Sequence, residues 1–559
     1  MRNLHLQIMT NDEKVGGNIP TDTTKAGQTP KIVIVDGLSN SVTDLLRQEG
    51  WQVEVFTGSS QDELVNSLRD AEGLIIRSAT QVDSALLSSA PHLKVVARAG
   101  TGVDNIDLKT ASELGILVLN SPGANSISVA EHTCALILTL GRSIARADAD
   151  MKRGAWTKQE LLGTELWRKT LGLVGLGRIG QEVTSRAQAF GMRVLAHDPY
   201  ISEEIARNLN VELVSLDELC AQSDFLSLHV PSSVDTFNMF DADRLSKCKP
   251  GLRLINTARG SLIDEAALAD AIESGHIGGA GLDVFSQEPP AETRLTTLPE
   301  VVATPHIAGS TEEAQELVGV EAAASVRDYL RLGIIRNAVN FPAIAPEETQ
   351  RLQPFVNLAQ KIGAFVAQLA KGRIKTVSIR YYGELATGKN ELLVGAVLMG
   401  LFKTMLSTTV SLINARALAR DRDIEVIESH STRPRDFTSL LALRLETSLG
   451  QLWVEGALFE QGGPRVVLLD GVEIEASIEG TSIVIRNLDE PGVVGTIGAV
   501  LGEHGINIAQ FALGRDSTGA VAVVNIDEST HTEKLKPDGT VIKTLLANPA
   551  IKSADLVRI

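Results

Sequence analysis

Short apolar runs alternate with amphipathic stretches from Lys31 to about Pro305. Strands are predicted over 32–36, 52–56, 73–77 and 93–97, with a helix over 42–49. Strands separated by helical stretches imply a parallel sheet with crossover helices. A long helix is predicted over 126–151, followed by a second alternating unit with strands over 170–174, 193–197, 224–229, 252–256, 279–283 and 301–304. A helix after Ser310 would return the chain to the first unit, so the second is inserted into the first. A Pro-punctuated linker lies near 341–348. Helix and strand patterns then mix to about 478, with one strand over 465–469. The last unit predicts strands over 482–486, 505–511, 520–524 and 554–557. Its first helix carries Val493, Ile497, Val500 and Leu501 on one face. With a second helix before the final strand the order is βαββαβ, a ferredoxin-like fold.

The strand over 170–174 feeds Gly175-Leu-Gly177-Arg178-Ile179-Gly180, a G-x-G-x-x-G turn that opens a helix. The first Gly allows the tight turn, the second lets backbone approach a pyrophosphate, and the third lets helix and strand pack closely. The helix N-terminus favours the anion through its free N–H groups and dipole. Asp198 ends the next strand, 18 residues beyond Gly180. An acid there accepts from ribose hydroxyls and repels a 2′-phosphate, so the expected cofactor is NAD rather than NADP. The first α/β unit has no such turn. An α/β turn that merely needs glycines is the structural alternative.

A chain of 559 residues is too long for one core, and 43% apolar content supports several. No uninterrupted apolar run of about 18 residues exists, so no membrane span is expected. The net charge of −17 argues against a nucleic-acid surface. Cys134, Cys220 and Cys248 show no metal-like grouping and suggest reduced thiols in the cytoplasm. The polar first thirty or so residues lack an apolar core of signal type, and Asp12, Glu13 and Asp22 weigh against a transit peptide. A disordered tail is expected there.

Three residues near predicted strand ends of the second unit could carry chemistry, where ligands of such sheets bind. His306 suits proton transfer near neutral pH. Glu288, in a Pro-bounded loop, would favour its imidazolium and fix its orientation. Arg259 offers a planar fork for a carboxylate. Singly, each has a structural alternative: a packed histidine, a solvated loop charge, an arginine paired with Asp264 or Glu265.

These motifs resemble the NAD-dependent D-2-hydroxyacid dehydrogenases, through Gly175–Gly180 with Asp198, Asn256-Thr257-Ala258-Arg259-Gly260, Asp283-Val-Phe-Ser-Gln-Glu288-Pro289 and Pro305-His306-Ile-Ala-Gly309. The resemblance implies that Arg259, Glu288 and His306 are catalytic. Gly175, Gly177, Arg178, Ile179, Gly180, Asp198, Thr257, Ala258, Asp283 and Gly309 would hold NAD, with Asp283 on the nicotinamide carboxamide side. Arg77-Ser-Ala-Thr80, Arg98-Ala-Gly100-Thr101-Gly-Val-Asp104-Asn, Asn125-Ser-Ile-Ser-Val-Ala-Glu131 and Gly163-Thr-Glu165-Leu narrow it. So does the C-terminal third, which resembles the intervening and ACT domains of long members. These imply oxidation of 3-phospho-D-glycerate to 3-phosphohydroxypyruvate, the first step of L-serine biosynthesis, in a homotetramer.

On that resemblance Arg77, Gly100, Thr101, Asn125 and Arg142 would hold the substrate, and Asp489, Asn507 and Ile508 an effector L-serine. Asn487 departs from the Tyr or His that related chains often carry two places before Asp489. The implied fold is a Rossmann-type domain (128–317) inserted into a flavodoxin-like substrate domain (31–127 and 318–345). An α+β intervening domain (346–479) and an ACT domain (480–559) follow. A hydroxypyruvate or glyoxylate reductase would normally stop near Asn340. A nucleotide-sensing corepressor on the same fold, or a C-terminal third that only assembles subunits, stays open.

Overall fold

The computed structural model describes residues 29–559 apart from 59, 292–293, 343–345, 389, 407, 434–435, 460–462, 518 and 528–534. All but the last two residues of the tail expected over 1–30 lie outside this set. The first sheet comprises β1 (Lys31–Ile34), β2 (Gln52–Val55), β3 (Gly73–Ile76), β4 (Val95–Arg98) and β5 (Leu117–Asn120). They run parallel in the order β2-β1-β3-β4-β5, the flavodoxin-like arrangement. β3 is buried at every position, which is why it reads as an unbroken apolar run.

The second sheet comprises β6 (Thr170–Val174), β7 (Arg193–His197), β8 (Glu212–Leu213), β9 (Phe225–Leu228), β10 (Leu252–Asn256), β11 (Ile277–Leu282) and β12 (Val301–Ala303). Its order, β8-β7-β6-β9-β10-β11-β12, is that of a Rossmann sheet with one added strand. The order reverses between β6 and β9, which places the Gly turn at the switch point.

Two helices join the units. Ser126–Arg142 packs against β10, β11 and β12. The expected continuation to residue 151 fails at Ser143, whose left-handed backbone (φ 48°) separates off a second helix, Ile144–Lys152. Glu312–Leu332 returns to the first sheet: Val318, Ala322 and Val326 pack with Ile32, Val42 and Leu117, and the Ser121 hydroxyl donates to Val318 O at 2.9 Å. Thr311 caps it by accepting from Ala314 N at 3.1 Å, and left-handed Gly333 (φ 67°) ends it.

The third sheet comprises β13 (Ile374–Gly383), β14 (Glu425–Ser431), β15 (Ser439–Thr447), β16 (Gly450–Phe459), β17 (Gly463–Leu469) and β18 (Val472–Ser477), in the order β14-β13-β15-β16-β17-β18. Only β13 and β14 pair in parallel. The fourth comprises β19 (Thr481–Asn487), β20 (Ile508–Asp516), β21 (Gly519–Ile526) and β22 (Ile551–Arg558), in the order β20-β21-β19-β22, the ferredoxin-like arrangement. The strand expected from Gly505 starts only at Ile508, because Gly505 (φ 72°) turns the chain in the left-handed region. Among the described residues no helix is long and apolar enough to cross a membrane.

Candidate active site

The three glycines of the turn divide their work as the spacing requires. A Cβ on Gly175 (φ 95°) would lie 2.6 Å from His229 O, and one on Gly180 would lie 2.4 Å from Gly175 O. A Cβ on Gly177 would meet nothing within 4 Å, so that face is open to a ligand. Gly177 is also the N-cap of helix Arg178–Ala189, with no side chain satisfying its first N–H groups. Asp198 accepts from Leu176 N at 2.8 Å and Tyr200 N at 2.9 Å, which fixes its carboxylate against the turn. These residues fit an adenine dinucleotide. Arg178 lies against Gly123, where a Cβ would come within 2.5 Å of its guanidinium, and Ile179 packs beside the core under β6. His229 supports the turn from below. Burial pushes its imidazole down to about 4, so it is neutral near pH 7, and its Nε2 lies 2.9 Å from Ser227 Oγ.

Asn256 ends β10 and shapes the next turn. Its side chain accepts from Ala258 N at 3.0 Å and donates to Arg259 O at 2.8 Å. The Arg259 side chain then crosses to the first sheet, donating from Nε to Asp104 at 2.9 Å. Gly102 makes room: a Cβ there would sit 1.7 Å from an Arg259 nitrogen. The Thr257 hydroxyl meets Thr133 Oγ1 at 2.9 Å.

His306 lies beyond β12 with a left-handed backbone (φ 54°). Its Nδ1 is 2.6 Å from Glu288 Oε2, while Glu288 Oε1 accepts from Phe285 N at 3.1 Å. An ionised carboxylate only accepts, so Nδ1 carries the proton and Nε2 is left to take one. Asp283 holds this loop. Fully buried, it accepts from the Thr304 hydroxyl at 2.6 Å, Ile307 N at 2.8 Å and Ala308 N at 2.9 Å, and its own carbonyl accepts from His306 N at 2.8 Å. The buried carboxylate thus holds the His306 loop from inside.

On the facing sheet the structure adds a residue not singled out in the sequence. Arg98 ends β4 among Arg259, Arg77, Asp104 and Asp36, and its buried Nε has no hydrogen-bond partner. Burial first, then the neighbouring Arg259 and Arg77 charges, lower its pKa to about 10 against the pull of Asp104 and Asp36. Its signal was positional: it is the strand-end residue before Gly100, whose Cβ would lie 2.4 Å from the Arg98 guanidinium. Thr101 donates to Asn125 at 3.0 Å, and a Cβ on Gly309 would lie 3.0 Å from the same asparagine. Arg77, Gly100, Thr101, Asn125 and Gly309 therefore line the meeting of the two sheets. Arg142 does not join them: it ends the helix that Asn125 begins, about 25 Å away at 1.5 Å per residue, and lies against Gly163.

In the fourth sheet's unit, Asp489 pairs with Arg515 at 3.3 Å and Asn507 donates to Asp527 at 3.3 Å. Ile508 begins β20, half-buried. Buried Asn487 donates to Leu488 O at 2.7 Å, while its side-chain oxygen has no partner.

Residues 134–308 match the D-isomer specific 2-hydroxyacid dehydrogenase NAD binding domain, residues 351–470 the D-3-phosphoglycerate dehydrogenase intervening domain, and residues 481–550 the ACT domain. A D-3-phosphoglycerate dehydrogenase of Methanocaldococcus jannaschii is 39% identical over 95% of this chain and 100% of its own length. One of Synechocystis is 40% identical over 89% of this chain and 90% of its own. Among solved structures, a D-lactate dehydrogenase of Aquifex aeolicus complexed with NAD and lactic acid is 32% identical, with a TM-score of 0.50 over 56% of this chain and 100% of its own. A glyoxylate reductase of Paecilomyes thermophila is 29% identical, with a TM-score of 0.52 over 56% of this chain and 99% of its own. Fold and site thus define an NAD-dependent dehydrogenase of D-2-hydroxy acids. The chain belongs to the D-3-phosphoglycerate dehydrogenase family, in the form that carries an intervening and an ACT domain.

Proposed function

We propose that Arg259, Glu288 and His306 carry out the NAD-linked oxidation of 3-phospho-D-glycerate to 3-phosphohydroxypyruvate, the first step toward L-serine. The observation that carries the assignment is the His306–Glu288 contact at 2.6 Å beside the loop of Arg259, facing the unpartnered Arg98. His306 Nε2 takes the hydroxyl proton in oxidation and returns it in reduction; Glu288 holds the imidazolium that forms. Arg259 and Arg98 face the carboxylate and the developing carbonyl, and Arg77 the phosphate. Bound NAD supplies the hydride acceptor. The turn from Gly175 to Gly180 would hold its pyrophosphate, approached at Gly177, with Asp198 on its ribose.

The same reading divides the chain at 31–127 with 318–345, 128–317, 346–479 and 480–559, bounds that enclose the three family matches. Free Cys134, Cys220 and Cys248 support a reducing, cytoplasmic setting. Ile144, Met151, Trp156, Leu162 and Trp167 are exposed, and a second copy would cover such apolar surface in a homo-oligomer, which we take to be a tetramer. L-serine is assigned to the ACT unit at Asp489, Asn507 and Ile508, where it must displace the Arg515 and Asp527 contacts.

The test is NADH consumption with phosphohydroxypyruvate against unphosphorylated hydroxypyruvate, with and without L-serine. Faster turnover of the phosphorylated acid is expected, as is inhibition by serine. Equal or better use of hydroxypyruvate overturns the substrate. Unchanged rates with serine overturn the effector and leave the C-terminal third an assembly role.

A further inference from the structure

Arg259 and His306 stand on loops from β10 and β12, with β11 between them. If both act on one substrate, as proposed above, their separation has to be set to a fraction of an ångström. Along the sheet, that link runs through Asp283, which donates from N to Asn256 O at 3.0 Å and accepts from the His306 loop. A second link crosses beneath the sheet, on helix Ser126–Arg142.

Two successive residues of that helix reach the two loops. His132 Nε2 lies 3.0 Å from Thr304 Oγ1, and Thr304 lies two residues before His306. Thr133 Oγ1 lies 2.9 Å from Thr257 Oγ1, and Thr257 lies two residues before Arg259. Proton counting fixes both bonds. The Thr304 hydroxyl has one proton and gives it to the Asp283 carboxylate at 2.6 Å, so His132 must donate from Nε2. The Thr133 hydroxyl gives its proton to Val129 O at 2.8 Å, so Thr257 must donate to Thr133. His132 Nε2 also approaches Asp283 at 3.5 Å. Thr133 is fully buried and Thr257 nearly so, which excludes water as a substitute partner. The helix starts beside Asn125, which touches Thr101 of the facing sheet, and Ser128 reaches Thr311 at 2.8 Å. One rigid element therefore holds both loops and meets the first sheet's loop at its start.

We propose that His132 and Thr133 are positioning residues that register the Arg259 loop against the His306 loop. Neither moves a proton of the reaction; each acts through the threonine it holds. This rests on the catalytic assignment above.

The test compares His132→Leu with His132→Gln, and Thr133→Val with Thr133→Ser, in the full-length enzyme. Leu and Val fill similar space without the polar group, whereas Gln and Ser restore one. For His132→Leu and Thr133→Val, kcat for phosphohydroxypyruvate reduction should fall roughly tenfold or more, while NADH affinity by fluorescence titration stays within about twofold. Gln and Ser should recover most of the loss. The double variant H132L/T133V should lose less than the product of the single losses, because one displaced loop already spoils the register. Recovery by Gln and Ser also shows that the losses are not failures to fold. Rates within about twofold of the parent for H132L and T133V, no recovery, or a fully multiplicative double loss would overturn the proposal. His306→Ala in the same series separates the two claims. If it stays active, the catalytic assignment fails; if it is inactive while H132L and T133V are not, only the register does.

Discussion

The two parallel sheets present different anion-binding tools at the carboxyl ends of their strands. After β6 the tool is backbone: three glycines, an open approach at Gly177 and a helix start with no side-chain cap. After β4 it is side chain: Arg98, with Arg77 and Arg259 close by and Asp104 and Asp36 as partial balance. Backbone N–H groups on a helix cost no rotamer entropy on binding and do not titrate, which suits a pyrophosphate held in one fixed place. A half-buried guanidinium is another matter. Arg98 is partly desolvated, has no partner for its buried Nε, and is repelled by Arg259 and Arg77. Its pKa of about 10 keeps it charged at neutral pH, and on the proposed reading an anionic substrate would offset the repulsion around it. The cofactor side is ready without its ligand; the substrate side is completed by its ligand.

The comparison breaks most visibly at the residue that uses both sheets without binding either anion. His306→Ala should cut turnover by about 10²–10⁴-fold, the usual worth of general acid–base catalysis, with NADH binding nearly unchanged. Steady-state rates beside fluorescence titration of NADH check this, and a variant within about threefold of the parent would remove His306 from the mechanism.

Arg98→Met tests the substrate side itself. It keeps the apolar stem, removes the charge and relieves repulsion on Arg259. The KM for phosphohydroxypyruvate should rise roughly 10–100-fold, the worth of one or two charge-assisted hydrogen bonds, with the KM for NADH unmoved. The thermal midpoint should move little, because relief of the repulsion from Arg259 and Arg77 is set against loss of the attraction to Asp104 and Asp36. An unchanged substrate KM would mean that Arg98 balances Asp104 and Asp36 and nothing more.

The same contrast explains what the sequence could disclose. The Gly turn was legible because its parts are adjacent in the chain. β7 and β10 were legible residue for residue, since parallel strands in the middle of a covered sheet read as apolar runs. Arg259, Glu288 and His306 could be picked out from their places near strand ends. Arg98 also ends a strand, but its meaning depends on burial and on Arg77 and Arg259, and Arg259 is far away in the chain. Thr133 and Thr257 meet across 124 residues, a pairing that no local pattern encodes. Arg142 misled for the converse reason: a cation near other motifs in sequence sits at the far end of a helix. The break at Ser143 was hidden because apolar Leu140 and Ile144 continue the helical spacing through it.

The smallest expected effect concerns the acid at the edge of the cofactor site. Asp198 has one contact set in the structure and one role on the proposed reading. Its carboxylate accepts from Leu176 N and Tyr200 N, steadying the Gly turn, and on the NAD assignment its charge would meet a 2′-phosphate. Asp198→Ala removes both. Loss of the turn contacts weakens either cofactor, so absolute affinities mix two causes and the ratio is the proper readout. Loss of the charge acts on the ratio alone, since only NADPH brings a phosphate to that place. NADH affinity should fall by about tenfold or less, and the preference for NADH over NADPH should shrink by about tenfold, each close to one hydrogen bond or one unit of charge repulsion near a wet surface. Asp198→Asn keeps an acceptor for one of the two N–H groups without the charge. It should bind NADH better than the Ala variant and discriminate no better. If both variants lose affinity for the two cofactors in equal measure, Asp198 is a brace of the turn, and the preference for NAD lies in the space around it instead.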